Sequence, residues 1–494
     1  VFFLTPAFAT WLLDDQTFVQ KALTKLYQNM IKSDQFPNVK VHALCAVVDK
    51  LPTPQYIQSS GENANAENPT WRRGREPPVW DTGHEGMAYA TLDLSDSVSL
   101  PQPAADEAGS ISFLTSEGSE GRRNCTTLRL PLANTIFQTG LPTTMTHYTF
   151  ENAKETGGFT LGAKENLTHH GLKLLHHKAT TMSSSTLAIP LIPLCFPRPV
   201  RASMGNILRQ ISDGTPANQS QPASQELESL VPQFHKSRGE PSQAMAVWAL
   251  VIPEALQQAL RQKTRNILKK LRGKENSSVS NYWEPLWRSN PVMWNELVWN
   301  AIKSGARLHR VLSGGGGWGK KAGLLSLDPV ITSTESESSA SQKFSDQLDG
   351  PGDLSSALHP VAHPGDAVQF FVSPPELNRN LGKIDLDLAK QNELKNSSMP
   401  WQCDFGTIPS TIDALQATSW QHNPSDSNEV FVFRNSFGAL AEGGMSVRQY
   451  RWSESHDPMS VVGGTKVDVP FSRFYSVDFP IEKKEGVGGN HCED

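Results

Sequence analysis

"VKVHALCAVVDK", residues 39–50, is the stretch on which the fold turns. Its run of Val, Ala, Leu and Cys is nearly unbroken up to Asp49, and Pro52 stops it soon after. A strand that is apolar on both sides reads as one buried on both faces, the habit of parallel sheets. Upstream, "VFFLT" at residues 1–5 is a shorter apolar run closed by Pro6. Between the two, "DDQTFVQKALTKLYQNMI" at residues 14–31 has helical spacing, with Phe18, Ala22, Leu23, Leu26 and Met30 on one face. Asp14 and Asp15 suit the positive end of a helix dipole. Strand, helix, strand in this order implies two parallel strands joined by a right-handed crossover.

Working outward, "EGMAYATLDLSD" from Glu85 is a further strand and "TTLRLPLANTIF" from Thr126 resumes order after polar inserts at 53–80 and 101–121. Beyond residue 200, "GNILRQI" reads as a short helix start and 213–222 as a polar loop. "ASQELESLVPQFHKSRG" from Ala223 is a helix carrying Leu227 and Leu230, and "AVWALVIP" at 246–253 is a buried strand. This echoes the opening unit, so residues 1–200 and 201–330 read as two similar α/β halves. Residues 254–274 form the cleanest helix, with Leu256, Leu260, Ile267 and Leu271 as its stripe. Glu254 opens it, and Lys269, Lys270, Arg272 and Lys274 close it, as the dipole prefers. "PVMWNELVWNAIKSGARLHRVL" is then a helix leading into a strand. Residues 331–358, rich in Ser, Glu, Asp and Gly, read as a flexible linker. The 359–494 region is β-rich: "DAVQFFVSP", "EVFVFRNSF" and "GMSVRQYRW" are strands, the last two flanking "GALAEGG" as a hairpin. The fold class is α/β, with a mixed or mostly parallel sheet core and a β-rich C-terminal part.

The 494 residues allow two to four domains. A net charge of −5 excludes a global basic field for nucleic acid or anionic membrane, so any such contact must be local. Cys45, Cys125, Cys195, Cys403 and Cys492 are odd in number, far apart and without a CxxC, which points to a reducing compartment. The five sequons, at Asn124, Asn166, Asn218, Asn276 and Asn396, argue only weakly for secretion, because such triplets arise by chance in a Ser/Thr-rich chain. No run of 18 apolar residues occurs, so no membrane-spanning helix is expected. The expected location is intracellular and cytoplasmic. The start without Met leaves room for an upstream targeting peptide, which makes mitochondria the alternative.

Chemistry gathers at "RLHRVLSGGGGWGKKAGLLSLDP", residues 307–329. "GGGGWGK" fits GxxxxGK from Gly314 to Lys320, but a P-loop needs Ser or Thr next, and Lys321 stands there. "AGLLSLDP" also looks like a strand rather than the helix a P-loop requires. Successive glycines instead suit a turn whose amides form a nest for a carboxylate or phosphate. In that reading Gly314, Gly315, Gly316 and Gly317 hold the anion, Trp318 covers it and Lys320 balances its charge. A plain bend between strands, with Trp318 packed on top, reads equally well. Trp283, Trp287, Trp294 and Trp299 follow the basic helix and would stack single-stranded bases if exposed, but buried tryptophans usually serve packing. "THHGLKLLHHK" puts His169 and His176 seven apart, on one face of a helix. Neither a carboxylate nor a Cys completes a zinc set there, so no metal is expected. Asp49, Asp81, His84 and Glu85 sit near strand ends, where α/β sheets place ligands, without a mechanism. No GxSxG elbow and no HExxH is present.

"VFFLTPAF", the helix after it, "VHALCAVVD", "EGMAYATLDL" and "LSGGGGWGKKAGLLSLDP" together resemble the FIST domain, a sensory module of signalling proteins, over about residues 1–330. The resemblance implies binding of a small ligand such as an amino acid. It also implies, from eukaryotic members that sit beside an F-box, a link to ubiquitin-ligase adaptors. The family's glycine-rich segment after the second strand is here "AVVDKLPTP" and a long insert, and no F-box is evident. The leading expectation is a non-enzymatic sensor for a small anionic ligand or amino acid, without cofactor, and with a protein partner reached through the C-terminal region. The alternatives are an organellar RNA-associated protein using the basic helix and tryptophans, and an enzyme with a phosphate-containing cofactor at the glycine turn.

Overall fold

The computed structural model describes residues 1–13, 18–31, 40–52, 83–99, 108–117, 124–153, 158–174, 181–215, 219–272, 283–289, 293–314, 323–329, 361–373, 401–410, 432, 435–451 and 460–480. The opening unit forms as its sequence predicts. β1 (Phe2–Leu4) and β2 (Lys40–Val47) are parallel, with Phe2 opposite Cys45 and Leu4 opposite Val47. A 3-10 turn (Pro6–Leu12), α1 (Phe18–Leu26) and α2 (Gln28–Ile31) lie between them in the chain. Val19 and Leu23 are the buried residues of α1, Phe18 and Ala22 are half-buried, and Leu26 is exposed. The helix is therefore rolled toward Val19 compared with the face read from spacing.

Three further strands complete the first sheet, in the order β3 (Met87–Tyr89), β1, β2, β7 (Met145–Ala153), β8 (Gly158–Asn166). One face carries Phe2, Leu4, Ala43, Cys45, Tyr148 and Phe150 and packs with Val19 and Leu23. The other carries Phe3, Leu44, Ala46 and Met145 and joins the main core. There it meets Ile111 and Phe113 of β5 (Ser110–Glu117) and Leu128 of β6 (Asn124–Pro131). Their six-stranded sheet runs β22 (Ser460–Val467), β21 (Met445–Arg451), β6, β5, β9 (His169–Lys173), β4 (Ser97–Ser99).

A third sheet has the order β10 (Thr181–Ala188), β23 (Arg473–Pro480), β19 (Trp401–Thr407), β20 (Ser436–Ala441). The fourth closes on itself. β12 (Arg198–Met204), β13 (Ile207–Ser212), β17 (Leu325–Leu327), β16 (Arg307–Gly314), β15 (Val247–Ile252) and β18 (Ala367–Val372) form a six-stranded antiparallel barrel, because β18 pairs with both β15 and β12. β11 (Ile192–Pro193) extends β18, and β14 (Ser220–Pro222) extends β13. The helices α4 (Ala223–Arg238), α5 (Gln257–Arg272), α6 (Glu284–Ser289) and α7 (Met293–Lys303) come from the chain that threads this barrel. The main hydrophobic core runs from Phe3 to Phe474 and includes residues of all four sheets, while the cluster under α1 is separate.

Several readings need correction. Of the two alternatives for the core, the mixed sheet holds and the mostly parallel one does not: among the described residues the parallel pairs are β1–β2, β5–β9 and β19–β20. β15 is antiparallel to both neighbours, so the second helix-then-strand unit does not repeat the first. "GNILRQI" is not a helix start but the turn into β13 and that strand itself. Leu208 and Ile211, three apart, imitate a helical face; both are buried because the register slips between Gln210 and Leu208, as a β-bulge allows. "GALAEGG" does not close a hairpin. β20 pairs with β19 and β21 with β6 and β22, so the chain changes sheet there. "THHGLK" is strand β9, which removes the helical spacing of His169 and His176.

Residues 359–494 contribute β18 to the barrel, β19, β20 and β23 to the sheet of β10, and β21 and β22 to the sheet of β6. The Ser/Glu-rich stretch 331–358 and the insert 53–80 lie outside the described residues, whereas the insert read at 101–121 holds strand β5, whose Ile111 and Phe113 are buried in the core.

Helices and barrel are locked together by Trp287. It is fully buried, its indole N–H donates to the Pro193 carbonyl at 3.0 Å, and its ring packs on Phe234. We expect Trp287→Ala to destabilise the fold by about 3–5 kcal/mol through the cavity it leaves. Urea unfolding monitored by circular dichroism measures this, and a loss below 1 kcal/mol would mean that the helices do not depend on this ring.

Candidate functional site

The glycine-rich segment joins two barrel strands. β16 and β17 are antiparallel, with Gly314 opposite Leu325 as the last pair before the turn. The slip between Val311 and Ser313 leaves Leu312 exposed at the barrel rim. His309 clamps the base of this hairpin: its Nδ1 donates to the Asp328 carbonyl at 2.9 Å, and Asp328 N donates to Arg310 O at 2.8 Å. Desolvation is the main cause that pushes the His309 imidazole down to about 4, so it stays neutral in this role. Of the residues assigned to the anion nest, Gly314 is exposed at the end of β16, while Gly315, Gly316, Gly317, Trp318 and Lys320 lie outside the described residues. The element after the turn is strand β17, so the GxxxxGK match lacks the helix that would make it a P-loop.

The returning leg of this hairpin lands on the first turn of α4. Ser224 N donates to the Gly323 carbonyl at 3.1 Å. Gly323 has φ +83°, and a Cβ there would stand 2.5 Å from Pro222 Cβ, so only glycine fits. A carboxylate already sits at this helix end. Glu226 Oε1 accepts from Arg198 Nε at 2.8 Å, and Glu226 Oε2 accepts from Gln221 Nε2 at 2.7 Å. Glu226 and most of Arg198 are buried, so the pair is a structural tie between β12 and α4.

The other end of α4 opens onto a groove of about 430 Å³, lined by Lys236, Ser237, Arg238, Gly239 and Arg288. The sequence dictates its shape. Gly239 takes the left-handed cap conformation at φ 69°, and its N–H returns to the Lys236 carbonyl at 3.2 Å. Glu240 N closes on His235 O at 3.0 Å, and Arg288 Nε donates to Ser237 O at 2.8 Å. The carbonyls of His235, Lys236 and Ser237 are thereby taken, and the groove wall carries three cations, two of them held by the carboxylates of Glu240 and Glu284. Arg238 spans it, donating from Nη1 to the Trp287 carbonyl at 2.8 Å and from Nε to Glu240 at 2.6 Å. Arg288 also pairs with Glu284, and the Lys236 side chain stands exposed. Beneath the groove His235 is 2% exposed; its ring nitrogens make no hydrogen bond, and Glu240 Oε2 lies 3.8 Å from Nδ1. Sequence reasoning placed this helix without seeing the groove. The signal was "HKSRG", a basic last turn before glycine.

The other candidates separate. Trp283, Trp287 and Trp299 are buried, so they offer no platform for bases, and the side chain of Trp294 lies outside the described residues. Along α5 the buried residues are Leu260, Thr264 and Leu268, with Lys263, Arg265 and Lys269 exposed. His170 Nε2 is hydrogen-bonded to Ser97 Oγ at 2.8 Å, and His169 contacts Arg129. His176 and His177 lie outside the described residues. Among the described residues no group of three or more His, Cys, Asp or Glu already converges on a metal position. The thiols of Cys45 and Cys195 are buried and pushed up to about 12 by desolvation, so both stay protonated.

Asp49, His84 and Glu85 do meet, at the carboxyl ends of β1 and β2. Leu51 and His84 exchange backbone hydrogen bonds, and Lys50 pairs with Glu85. Asp49 Oδ2 accepts from Glu442 N at 2.8 Å, tying β2 to the turn after β20. Asp81 lies outside the described residues. These contacts fasten sheets together. Comparison with protein-family models, with curated proteins and with solved structures returns no match for this chain. Among the described residues no helix is long and apolar enough to cross a membrane.

Burial is the main cause that raises the Asp49 carboxyl to about 6, against the Glu442 amide and Lys50, which favour its charge. Between about pH 4 and 6 the folded chain then holds a proton that the unfolded chain has lost, so this group's stability contribution declines as pH rises through that window. Asp49→Asn keeps the acceptor for Glu442 and removes the effect. The variant is expected to be more stable than the native chain by roughly 1–2 kcal/mol at pH 7.5, with the difference closing near pH 4. Urea unfolding at the two pH values measures it.

Proposed function

We propose that this is a non-catalytic protein that binds a small anionic ligand, a carboxylate or phosphate, in the groove at the C-terminal end of α4. One observation carries the reading: Lys236, Arg238 and Arg288 line a space of about 430 Å³ at the helix end, where the carbonyls of His235, Lys236 and Ser237 are already capped. With Arg238 held by Glu240 and Arg288 by Glu284, the exposed Lys236 ammonium leaves the groove positive on balance, and the remaining guanidinium N–H groups can donate to an anion's oxygens. The volume falls within the usual range for small-ligand sites. The resemblance to the FIST sensory domain points to the same class of role, in which ligand occupancy rather than turnover is the output.

A second reading keeps the ligand at the glycine-rich turn, with Gly314 to Gly317, Trp318 and Lys320 as its cradle. It is favoured by the Gly323 carbonyl at the first turn of α4, which delivers the turn to a positive helix end. α4 has 16 residues, so its ends are about 24 Å apart. One small ligand cannot serve both places, and the two readings exclude each other for a single binding event.

A thermal-shift screen with phosphate, nucleotides, amino acids and small organic acids decides between them. A ligand at 100 times its dissociation constant adds about 2.7 kcal/mol of stability. The groove reading expects a stabilising anion whose effect is lost in Lys236→Glu and kept in a Gly315→Ala/Gly316→Ala double variant. The reverse pattern moves the ligand to the turn. Silence of every anion at millimolar concentration would end both.

A further inference from the structure

We propose that His42 and His147 form the heart of a binding site for a divalent transition-metal ion of the zinc class, with Glu165 as the third ligand. The three residues come from adjacent strands of the first sheet. His42 is on β2 opposite Thr149, and His147 is on β7 opposite Leu44, so the two imidazoles are diagonal neighbours on one face. Glu165 on β8 stands directly opposite His147 and shares that face. The pleat thus sets two imidazoles and a carboxylate in a row across three strands.

The ring geometry suits a shared ion. The two rings are within 10° of parallel, with centroids 5.3 Å apart. That separation is too large for face-to-face stacking, so the rings lie edge to edge. His42 Nδ1 and His147 Nε2 face each other at 3.2 Å. A tetrahedral zinc with bonds of about 2.0–2.1 Å sets neighbouring nitrogens roughly 3.3 Å apart. The pair already has nearly that spacing. Both rings are half-buried, so the site is open to solvent on one side.

Apolar side chains and a closed ion pair flank the two rings. Leu44 and Met145 wall the inner side. His170 of the facing sheet is held by Ser97 and is close enough for its charge to oppose that of His147. Lys40 and Glu151 pair with each other at 2.9 Å at the outer end of the same face. Burial, then His42, holds His147 below the usual imidazole range against the pull of Glu165, and burial, then His147, does the same for His170. Glu165 is exposed, and rotation of its side chain toward His147 supplies the negative ligand. Imidazole with a single carboxylate suits zinc, copper or nickel over magnesium or calcium.

Isothermal titration calorimetry of the full chain with Zn²⁺ at pH 7.5, in the presence of Mg²⁺, tests this. The chain has 14 histidines, so the comparison of native and variant proteins decides, not zinc binding as such. The native chain is expected to bind one Zn²⁺ more than either His42→Ala or His147→Ala, and Glu165→Gln to weaken that site about tenfold. Lowering the pH to 5.5 is expected to weaken it, since protons compete for the same lone pairs. If an alanine variant melts below the native metal-free protein, His42→Gln and His147→Gln replace it. Equal zinc stoichiometry and affinity in native and His42-substituted chains overturns the proposal and leaves the pair as two imidazoles sharing a proton.

Discussion

Barrel closure by β18 is the constraint on which the rest of the structure depends. Residues Ala367–Val372 are all buried, and the strand is hydrogen-bonded along both edges, to β15 on one side and to β12 and β11 on the other. Without β18, β15 and β12 would each present a row of unpaired amides and carbonyls to the core, at a cost of kilocalories per group. The segment that satisfies them stands more than 100 residues downstream of β15 in the sequence. Once β18 is inserted, the C-terminal strands must return over the same core. Thr465 of β22 then bonds to the backbone of Leu308 on β16, and Asp468 accepts from the indole of Trp248 on β15. Stability therefore rests on contacts between distant stretches, which is a slow topology to fold.

That dependence explains what the sequence revealed. Local periodicity was enough for β1, β2, α4 and α5, because each carries its own apolar stripe and its own end signals. The parallel pairing of β1 with β2 followed from the short helical connection between them. Pairings across the whole chain have no local signature. Nothing in "GALAEGG" shows that β20 joins β19 while β21 joins β6. "GNILRQI" misleads for a different reason: a bulge lets Leu208 and Ile211 face the same way, and a spacing of three then counterfeits a helix.

The sites were legible to the same degree. The glycine run announced a turn, and its strand flanks are where the sequence put them. The groove at the end of α4 was half visible, because His235, Lys236 and Arg238 precede a glycine as dipole and capping rules prefer. Arg288, about 50 residues later, supplies the other wall, and only the packing of α6 on α4 brings it there. The histidine pair was invisible for the same reason. His42 and His147 are 105 residues apart, and neither stands in a motif. The obvious cluster, "THHGLKLLHHK", instead puts one histidine against Ser97 and another against Arg129.

The two ends of α4 show how charge placement decides where an anion goes. A helix dipole alone would send it to the N-terminus, beside the glycine turn. That end already holds Glu226, whose carboxylate answers the dipole and is itself held by Arg198 and Gln221. A second anion there would have to displace a buried carboxylate from two hydrogen-bonding partners or share their charge. The C-terminal end starts with the wrong sign, but Gly239, Glu240 and Arg288 occupy its carbonyls with N–H donors. The residual negative end is thereby covered, and the guanidinium and ammonium groups set the local potential. Groups that cap a helix from outside can thus offset the preference its dipole would dictate, and the proposed seat of a negative ligand in the groove rests on that offset.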